Sequence, residues 1–186
     1  MRNIILATIL SIFTFAQGKA QDNTQGHFLV EFDKFSPPIQ DLIRSFEGQP
    51  AEQFLANDVS GTEHYLGDYT GKKVILWFWS INNSKALKQI NTMTLLQEKM
   101  QKDVKIISFA SELKSAVKEY MRKNPMEIVV IPNGEVFGQM AYGAEMGNPR
   151  MFIIDKSGII KAAIPEQAFE DNDNLFISLE SILNGM

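Results

Sequence analysis

Cysteine and histidine, two residue types that often catalyse reactions or bind metals, are absent or isolated in this sequence. None of the 186 residues is a cysteine, which excludes thiol redox catalysis, iron–sulfur ligation and thiolate zinc sites. His27 and His64 are the only histidines, and neither stands in a spaced metal motif, so we expect no metal and no cofactor. Ser84 has neither a nearby histidine nor a Gly-x-Ser-x-Gly turn, and we assign it no role as a hydrolytic nucleophile.

Polar residues that could bind a ligand without reacting cluster at one predicted helix start. Asn82, Asn83 and Ser84 follow the apolar run Val74–Trp79. Asn and Ser are favourable N-cap residues, so the first interpretation is that these side chains close the end of the helix. The alternative is that free backbone N–H groups there bind an anion or a ligand carbonyl. Trp79 is then either a core side chain or part of a binding groove.

The hydrophobic pattern predicts an α/β sandwich around a mixed central sheet. Continuous apolar runs predict buried strands, whereas apolar residues spaced three and four apart predict amphipathic helices. The predicted strands cover 74–79, 104–109, 128–131, 151–154 and 159–163. An N-terminal β-hairpin extension over 54–66 precedes them, and helices are predicted near 39–46, 84–100, 113–121, 134–142 and 175–183. The last two strands flank Asp155-Lys156-Ser157-Gly158, which is typical of a hairpin turn.

The N-terminus predicts a secretory signal peptide over residues 1–20. Arg2 supplies positive charge, 4–16 is an apolar run too short for a typical membrane span, and Gly18 and Ala20 suit a cleavage site. An uncleaved N-terminal anchor is the alternative. We expect residues 21–47 to form a lead-in with a short helix and 48–186 to form the folded domain. The expected location is periplasmic or secreted, with no integral membrane segment after cleavage.

The charge balance argues against nucleic-acid binding. The formal net charge of −4 becomes −6 when Arg2 and Lys19 are removed with the signal peptide. The sequence has no basic run that would follow a phosphate backbone or attach to an anionic membrane. We therefore expect no nucleic-acid partner.

Two separated motifs resemble the TlpA-like and AhpC/TSA redoxin families. The first combines a Gly-x-Pro-Ala-x-x-Phe segment over 48–54 with Leu-Gly-Asp-Tyr-Thr-Gly-Lys at 66–72, and leads to the apolar strand that ends in Phe78-Trp79. The second, over 147–160, reads Gly-Asn-Pro-Arg followed by a strand and an Asp-Lys-Ser-Gly hairpin. The resemblance covers about 48–160 and implies a thioredoxin-like fold with a mixed sheet.

The resemblance also implies where the family's functional groups would lie. When the sequences are aligned from Phe78-Trp79, the two Cys-x-x-Cys positions fall on Asn83 and Ala86, and no peroxidatic cysteine is present either. The chain is thus interpreted as a pseudoenzyme. In the family a cis-proline lies beside the helix start, which here is Asn148-Pro149. That edge would either pair with an extended peptide or merely shape the fold.

Three functional hypotheses remain. The first is a non-catalytic module that binds a peptide, a protein client or a small ligand in a groove around Asn82, Asn83, Ser84, Trp79, Asn148 and Pro149. The second is an accessory protein of an extracytoplasmic thiol-disulfide oxidoreductase or antioxidant system. The third is an enzyme with chemistry not based on thiols, for which the sequence offers no convergent acid–base set.

Overall fold

The computed structural model describes residues 34–145, 149–165, 168 and 172–186. The predicted signal peptide and residues 21–33 of the lead-in lie outside the described residues. No helix in the described ranges combines the length and the apolar character needed to cross a bilayer.

The elements alternate in the order that the hydrophobic pattern predicts. The helices are α1 (Pro37–Phe46), α2 (Ser84–Met100), α3 (Lys114–Lys123), α4 (Glu135–Tyr142) and α5 (Asn172–Asn184). The strands are β1 (Leu55–Asn57), β2 (Glu63–Tyr65), β3 (Lys73–Trp79), β4 (Val104–Ala110), β5 (Val129–Ile131), β6 (Pro149–Ile154) and β7 (Ile160–Pro165).

Five strands form the central sheet in the order β5-β4-β3-β6-β7, while β1 and β2 pair separately as a hairpin. β3, β4 and β5 run parallel, and β6 and β7 are antiparallel to their neighbours. The mixed sheet and the N-terminal hairpin extension are therefore confirmed. Because β3 and β4 are parallel, the loops that leave them meet at the same edge of the sheet.

Alternate side chains of β3 divide between two hydrophobic cores. Trp77 and Trp79 pack with α2, α3 and α5 on one face of the sheet. Leu76 and Phe78 pack with α1 and α4 on the other face. All seven residues of β3 are buried, which explains why its sequence is apolar at consecutive positions and not at every second one.

Most boundaries differ from the predicted ones by a few residues, and two of these differences have a clear physical cause. α1 begins at Pro37, two residues before the first apolar position, because proline is readily accommodated in the first turn of a helix. The turn predicted at Asp68–Gly71 overlaps a 3₁₀ helix that begins two residues earlier and spans Leu66–Tyr69. Leu66 is only 6% exposed, and this burial fixes the start of that helical turn in the core.

Candidate functional site

The N-terminus of α2 is closed by the protein's own side chain. The carboxamide oxygen of Asn83 accepts hydrogen bonds from the backbone N–H groups of Lys85 at 3.0 Å and Ala86 at 3.2 Å. Asn83 has extended backbone angles (φ −102°, ψ 103°), as an N-cap residue requires. Ala86 is 1% exposed and packs in the core. The two positions that the resemblance predicts for the cysteines thus hold a capping group and a core methyl.

The loop between β3 and α2 is tied to the carboxylate of Glu112. The Oε1 atom of Glu112 accepts hydrogen bonds from Ser80 Oγ at 2.5 Å, Ile81 N at 3.1 Å and Asn82 Nδ2 at 3.3 Å. Ser80 Oγ in turn accepts from the Asn82 backbone N–H at 3.0 Å. Glu112 lies in the loop that leaves β4, so one carboxylate fixes the relative position of two loops.

Backbone hydrogen bonds hold Glu112 itself in place. Ser111 N–H donates to the Trp79 carbonyl at 2.9 Å, and Asn133 N–H donates to the Glu112 carbonyl at 2.9 Å. Asn133 adopts a left-handed conformation (φ 58°), which asparagine tolerates better than most residues. The carboxylate therefore projects from a backbone that is anchored on both sides.

A cleft of about 700 Å³ opens beside these two loops. Phe78 and Phe109 form its apolar part, and the remaining wall is polar or small. The other lining residues are Ser80, Asn82, Ser111, Glu112, Gly134, Glu135, Gly138, Gln139, Ala144, Glu145 and Arg150. A concave site of this volume with a few convergent polar groups is typical of a small-ligand or peptide site.

Glycine allows α4 to approach the aromatic part of this cleft. A Cβ atom on Gly138 would lie 2.7 Å from Phe78 Cδ1, and one on Gly134 would lie 2.5 Å from Phe109 Cβ. Both distances are below van der Waals contact, so larger residues at these positions would move α4 outward or displace the rings.

Two polar groups of the cleft are left without partners. The Oε2 atom of Glu112 and the Nε atom of Arg150 are both buried, and neither has a hydrogen-bond partner among the described residues. A buried polar atom without a partner costs about 1–3 kcal/mol. Glu112 and Arg150 are thus the lining residues of the cleft that have an unsatisfied buried polar atom among the described residues.

A second polar cluster lies in the β1–β2 hairpin, where all its groups have partners. Asp58 Oδ1 accepts hydrogen bonds from the backbone N–H groups of residues 60–62 at 2.8–2.9 Å. Its Oδ2 lies 3.1 Å from His64 Nε2, and His64 Nδ1 lies 2.6 Å from Tyr69 Oη. Burial alone would raise the pKa of Asp58, but the hydrogen bonds outweigh it and lower that pKa to about 2.

The phenol at one end of this hairpin cluster is protonated at neutral pH. Burial, together with the nearby charges of Asp68 and Asp58, raises the pKa of Tyr69 above its ordinary value. A phenol with a raised pKa is a poorer nucleophile at neutral pH, because less of it is ionised. Within the described residues, no group of three or more His, Asp or Glu side chains could hold a metal ion.

The structure separates the six predicted site residues. Asn82 lines the cleft, whereas Asn83 and Ser84 start α2 beside it and are not among the lining residues. Trp79 is fully buried and stacks on Trp77 with 5.5 Å between ring centroids, so of the two roles open to it the core position is the one observed. Pro149 begins β6 directly before Arg150. Asn148 lies outside the described residues.

Sequence reasoning missed Glu112 and Arg150, the two cleft-lining residues that have a buried polar atom without a partner among the described residues. A signal was available for Glu112, because it follows the second buried parallel strand just as Ser80 follows the first. Polar residues after adjacent parallel strands meet at the carboxyl edge of a sheet, where ligand sites concentrate. Arg150 carried no such signal, since it directly precedes the predicted strand 151–154, and nothing near it in the sequence indicates that β6 starts earlier or which way its side chain faces.

Comparison with known proteins agrees with this architecture. The AhpC/TSA family profile matches residues 47–163. The chain is 31% identical over 128 residues to the thiol-disulfide oxidoreductase ResA of Bacillus thuringiensis subsp. konkukian, covering 66% of this chain and 72% of that protein.

Solved structures show the same fold at lower identity. The thioredoxin domain of a thiol-disulfide oxidoreductase from Bacteroides vulgatus superposes with a TM-score of 0.61 at 18% identity, over 74% of this chain and 98% of that one. The exposed lipoprotein thioredoxin of Streptococcus pneumoniae gives a TM-score of 0.59 at 21% identity, over 69% and 98%. The chain therefore belongs to the AhpC/TSA family and has a thioredoxin-like fold, although its sequence contains no cysteine.

Proposed function

We propose that this chain is an exported binding protein without thiol redox activity, and that it holds a peptide, a protein client or a small polar ligand in the cleft beside Glu112. The observation that carries the proposal is the state of the α2 N-terminus. Asn83 uses its side chain to cap the helix, and Ala86 is part of the core. Both positions aligned with the cysteines now serve the structure.

The chemistry of dithiol exchange supports the first half of the proposal. That reaction needs a thiolate, which a helix N-terminus stabilises through its free N–H groups and its dipole. The Asn83 carboxamide neither ionises nor forms a mixed disulfide. It also accepts hydrogen bonds from the N–H groups of residues 85 and 86, which would otherwise be available to a thiolate.

The cleft supports the second half of the proposal. Its volume of about 700 Å³ suits a short peptide segment or a small molecule, and it lies one loop away from the closed helix end. Export is supported by the predicted signal peptide and by the similarity to a lipoprotein described as exposed.

A second candidate function is favoured by the named relatives. ResA and the structurally similar proteins carry the name of thiol-disulfide oxidoreductases or thioredoxins. A cysteine-free relative could bind the clients of such enzymes without exchanging electrons. In that case the partner would be a protein segment and not a free metabolite.

The test measures disulfide reduction and peroxidase activity. It compares the wild-type protein, purified after export, with an Asn83→Cys/Ala86→Cys double variant. We expect the wild type to show no disulfide reduction and no peroxidase activity, and the double variant to gain measurable disulfide reduction. An Asn83→Ser/Ala86→Ser variant is the matched control, because serine has nearly the size of cysteine at both positions but adds no thiol. Turnover of a disulfide or a peroxide by the wild type would overturn the proposal.

The binding half needs its own measurement. Titration of the isotope-labelled protein with a mixed library of blocked tripeptides should shift the backbone resonances of residues 80–82 and 111–112. Shifts confined to other surfaces, or none at all, would refute peptide binding in the cleft.

A further inference from the structure

We infer that the cleft selects a cationic side chain, the guanidinium or ammonium group of an arginine or lysine in a peptide. This inference rests on the proposed function and specifies the chemical class of its ligand. It follows from the charges, the unpartnered atoms and the apolar wall of the cleft.

The charge of the cleft favours a cation. Glu112, Glu135 and Glu145 contribute three carboxylates, whereas Arg150 contributes the one guanidinium among the lining residues. Clefts lined mainly by one sign of charge attract the opposite sign, because the low-dielectric walls focus the field. An anionic ligand would meet repulsion from two carboxylates at the rim as well as from Glu112.

The Oε2 atom of Glu112 has the lone pairs to accept a further hydrogen bond. Its Oε1 atom already accepts three, so the plane of the carboxylate is fixed. The Oε2 atom has none from the described residues. A charged N–H donor is the strongest partner for a fixed carboxylate oxygen, because charge-assisted hydrogen bonds are about twice as strong as neutral ones.

Arg150 explains why the cation would belong to a peptide. Its buried Nε has no partner, and Arg150 makes no ion pair within the described part of the chain. A peptide that places its cationic side chain at Glu112 also carries backbone carbonyl groups, and these are acceptors for an arginine N–H. A simple inorganic or amine cation would leave Arg150 unsatisfied and would be repelled by it.

The aromatic wall suits the remainder of such a side chain. Phe78 and Phe109 line the cleft with their ring centroids 5.1 Å apart. Arginine and lysine carry aliphatic stems that pack on apolar surface. Phe78 and Phe109 are only 4% and 3% exposed, so they offer such a stem a small apolar contact and no free ring face. Glutamine or a short polar side chain lacks the charge, and leucine lacks the donor.

The test uses four blocked tripeptides of the form acetyl-Gly-Xaa-Gly-amide, in which Xaa is Arg, Lys, Gln or Glu. Dissociation constants are measured by titration of the isotope-labelled protein up to about 10 mM peptide, at low and at high salt. We expect the Arg and Lys peptides to bind about tenfold more tightly than the Gln peptide, the Glu peptide to bind most weakly, and salt to reduce the difference.

Single and double variants test whether the carboxylates of the cleft cause the preference for the Arg peptide. Glu112→Gln should weaken the Arg peptide about tenfold, whereas Glu98→Gln, which removes an equal charge from an exposed position on α2, should change it less than about twofold. If Glu112→Gln fails to fold, the Glu135→Gln/Glu145→Gln double variant replaces it, with an expected loss of about threefold.

The outcomes separate the inference from the proposed function. Binding of the Gln or Glu peptide at the cleft as tightly as the Arg peptide would overturn the inference and leave the proposed function intact. Binding of the Arg peptide that neither set of cleft variants weakens would also overturn the inference. If no peptide shifts the cleft resonances at about 10 mM, peptide binding at this site fails together with the inference.

Discussion

The N-terminus of α2 and the cleft beside Glu112 lie one loop apart and differ in how completely their polar groups are satisfied. At the helix end, Asn83 supplies an acceptor for the N–H groups of residues 85 and 86. In the cleft, Glu112 Oε2 and Arg150 Nε are buried and have no partner within the described ranges. At the predicted position of the family's cysteines the helix end is capped, whereas two residues that line the neighbouring cleft each have a buried polar atom without a partner in that part of the chain.

This difference indicates which change in the chain matters for function. A helix N-terminus without a cap offers free N–H groups to a thiolate or an anion. When a side chain of the protein caps the helix, these N–H groups are already hydrogen-bonded and stabilise the fold. Under the proposed function, binding occurs in the cleft, where one buried donor and one buried acceptor have no partner among the described residues.

The largest effect is expected from Glu112→Ala, which tests the dual role of this carboxylate. The substitution removes the acceptor from Ser80, Ile81 and Asn82 together. We expect the free energy of unfolding to fall by about 3 kcal/mol, because partly buried donors lose their partner. Urea denaturation of the wild type, Glu112→Ala and Glu112→Gln measures this.

Glu112→Gln is the matched control, since its amide oxygen keeps an acceptor at the same position. It should recover more than half of the loss. A loss below about 1 kcal/mol in Glu112→Ala would mean that the two loops are held by their backbone bonds alone. The carboxylate would then be left with a binding role only.

A smaller effect is expected from Asn83→Ala, which opens the closed end of α2. The free energy of unfolding should fall by about 1 kcal/mol, the usual cost of removing an N-cap side chain. Asn83→Asp should be neutral or slightly stabilising, because a negative charge interacts well with the helix dipole. Thermal unfolding followed by circular dichroism measures both.

The peptide titration also tests whether the helix end and the cleft are separate sites. Asn83→Ala should leave the dissociation constant of the Arg peptide unchanged, since Asn83 is not among the lining residues of the cleft. A large loss of peptide affinity in Asn83→Ala would show that the helix end is part of the site after all.

The smallest effect concerns Asp58, whose carboxylate is fully partnered and so provides a reference for the half-partnered Glu112. Its folded-state pKa is lowered to about 2, against an ordinary value of 3.8. The stabilisation is therefore present above pH 3.8 and is lost as the pH falls from there through about 2. Because the hairpin lies near solvent, we expect it to amount to less than about 1 kcal/mol.

Acid titration of wild type and Asp58→Asn checks this expectation. Above pH 4 the wild type should be the more stable of the two, and the difference should shrink as the pH drops below that value. A difference that stays constant from pH 5 to pH 2 would show that the Asp58 hydrogen bonds do not depend on its charge.

Much of the fold could be predicted from local pattern. The strand β3 was evident because six consecutive apolar residues need cover on both faces, and α2 was evident from its apolar spacing. The N-cap role of Asn83 was also predictable, since it depends on backbone groups only two and three residues away. The 3₁₀ turn at Leu66–Tyr69 was missed because it depends on burial of Leu66 against distant residues.

The cleft could not be predicted in the same way. Ser80 and Glu112 are 32 residues apart, and their contact depends on the parallel register of β3 and β4. Arg150 reaches the same cleft through β6, which pairs with the other side of β3. Trp79, in contrast, was a candidate for this groove and lies in the core. Its position next to the groove in the sequence did not indicate which face of the sheet its ring occupies.

The sequence by itself determined what this protein lacks and how its elements form. Absence of cysteine is a property of composition, and helices, strands and the α2 cap arise from interactions over a few residues. Only the tertiary structure decided which polar groups stay unpartnered. That outcome depends on how distant loops meet at one edge of the sheet, since a hydrogen bond is satisfied or left open by geometry in space and not by order along the chain.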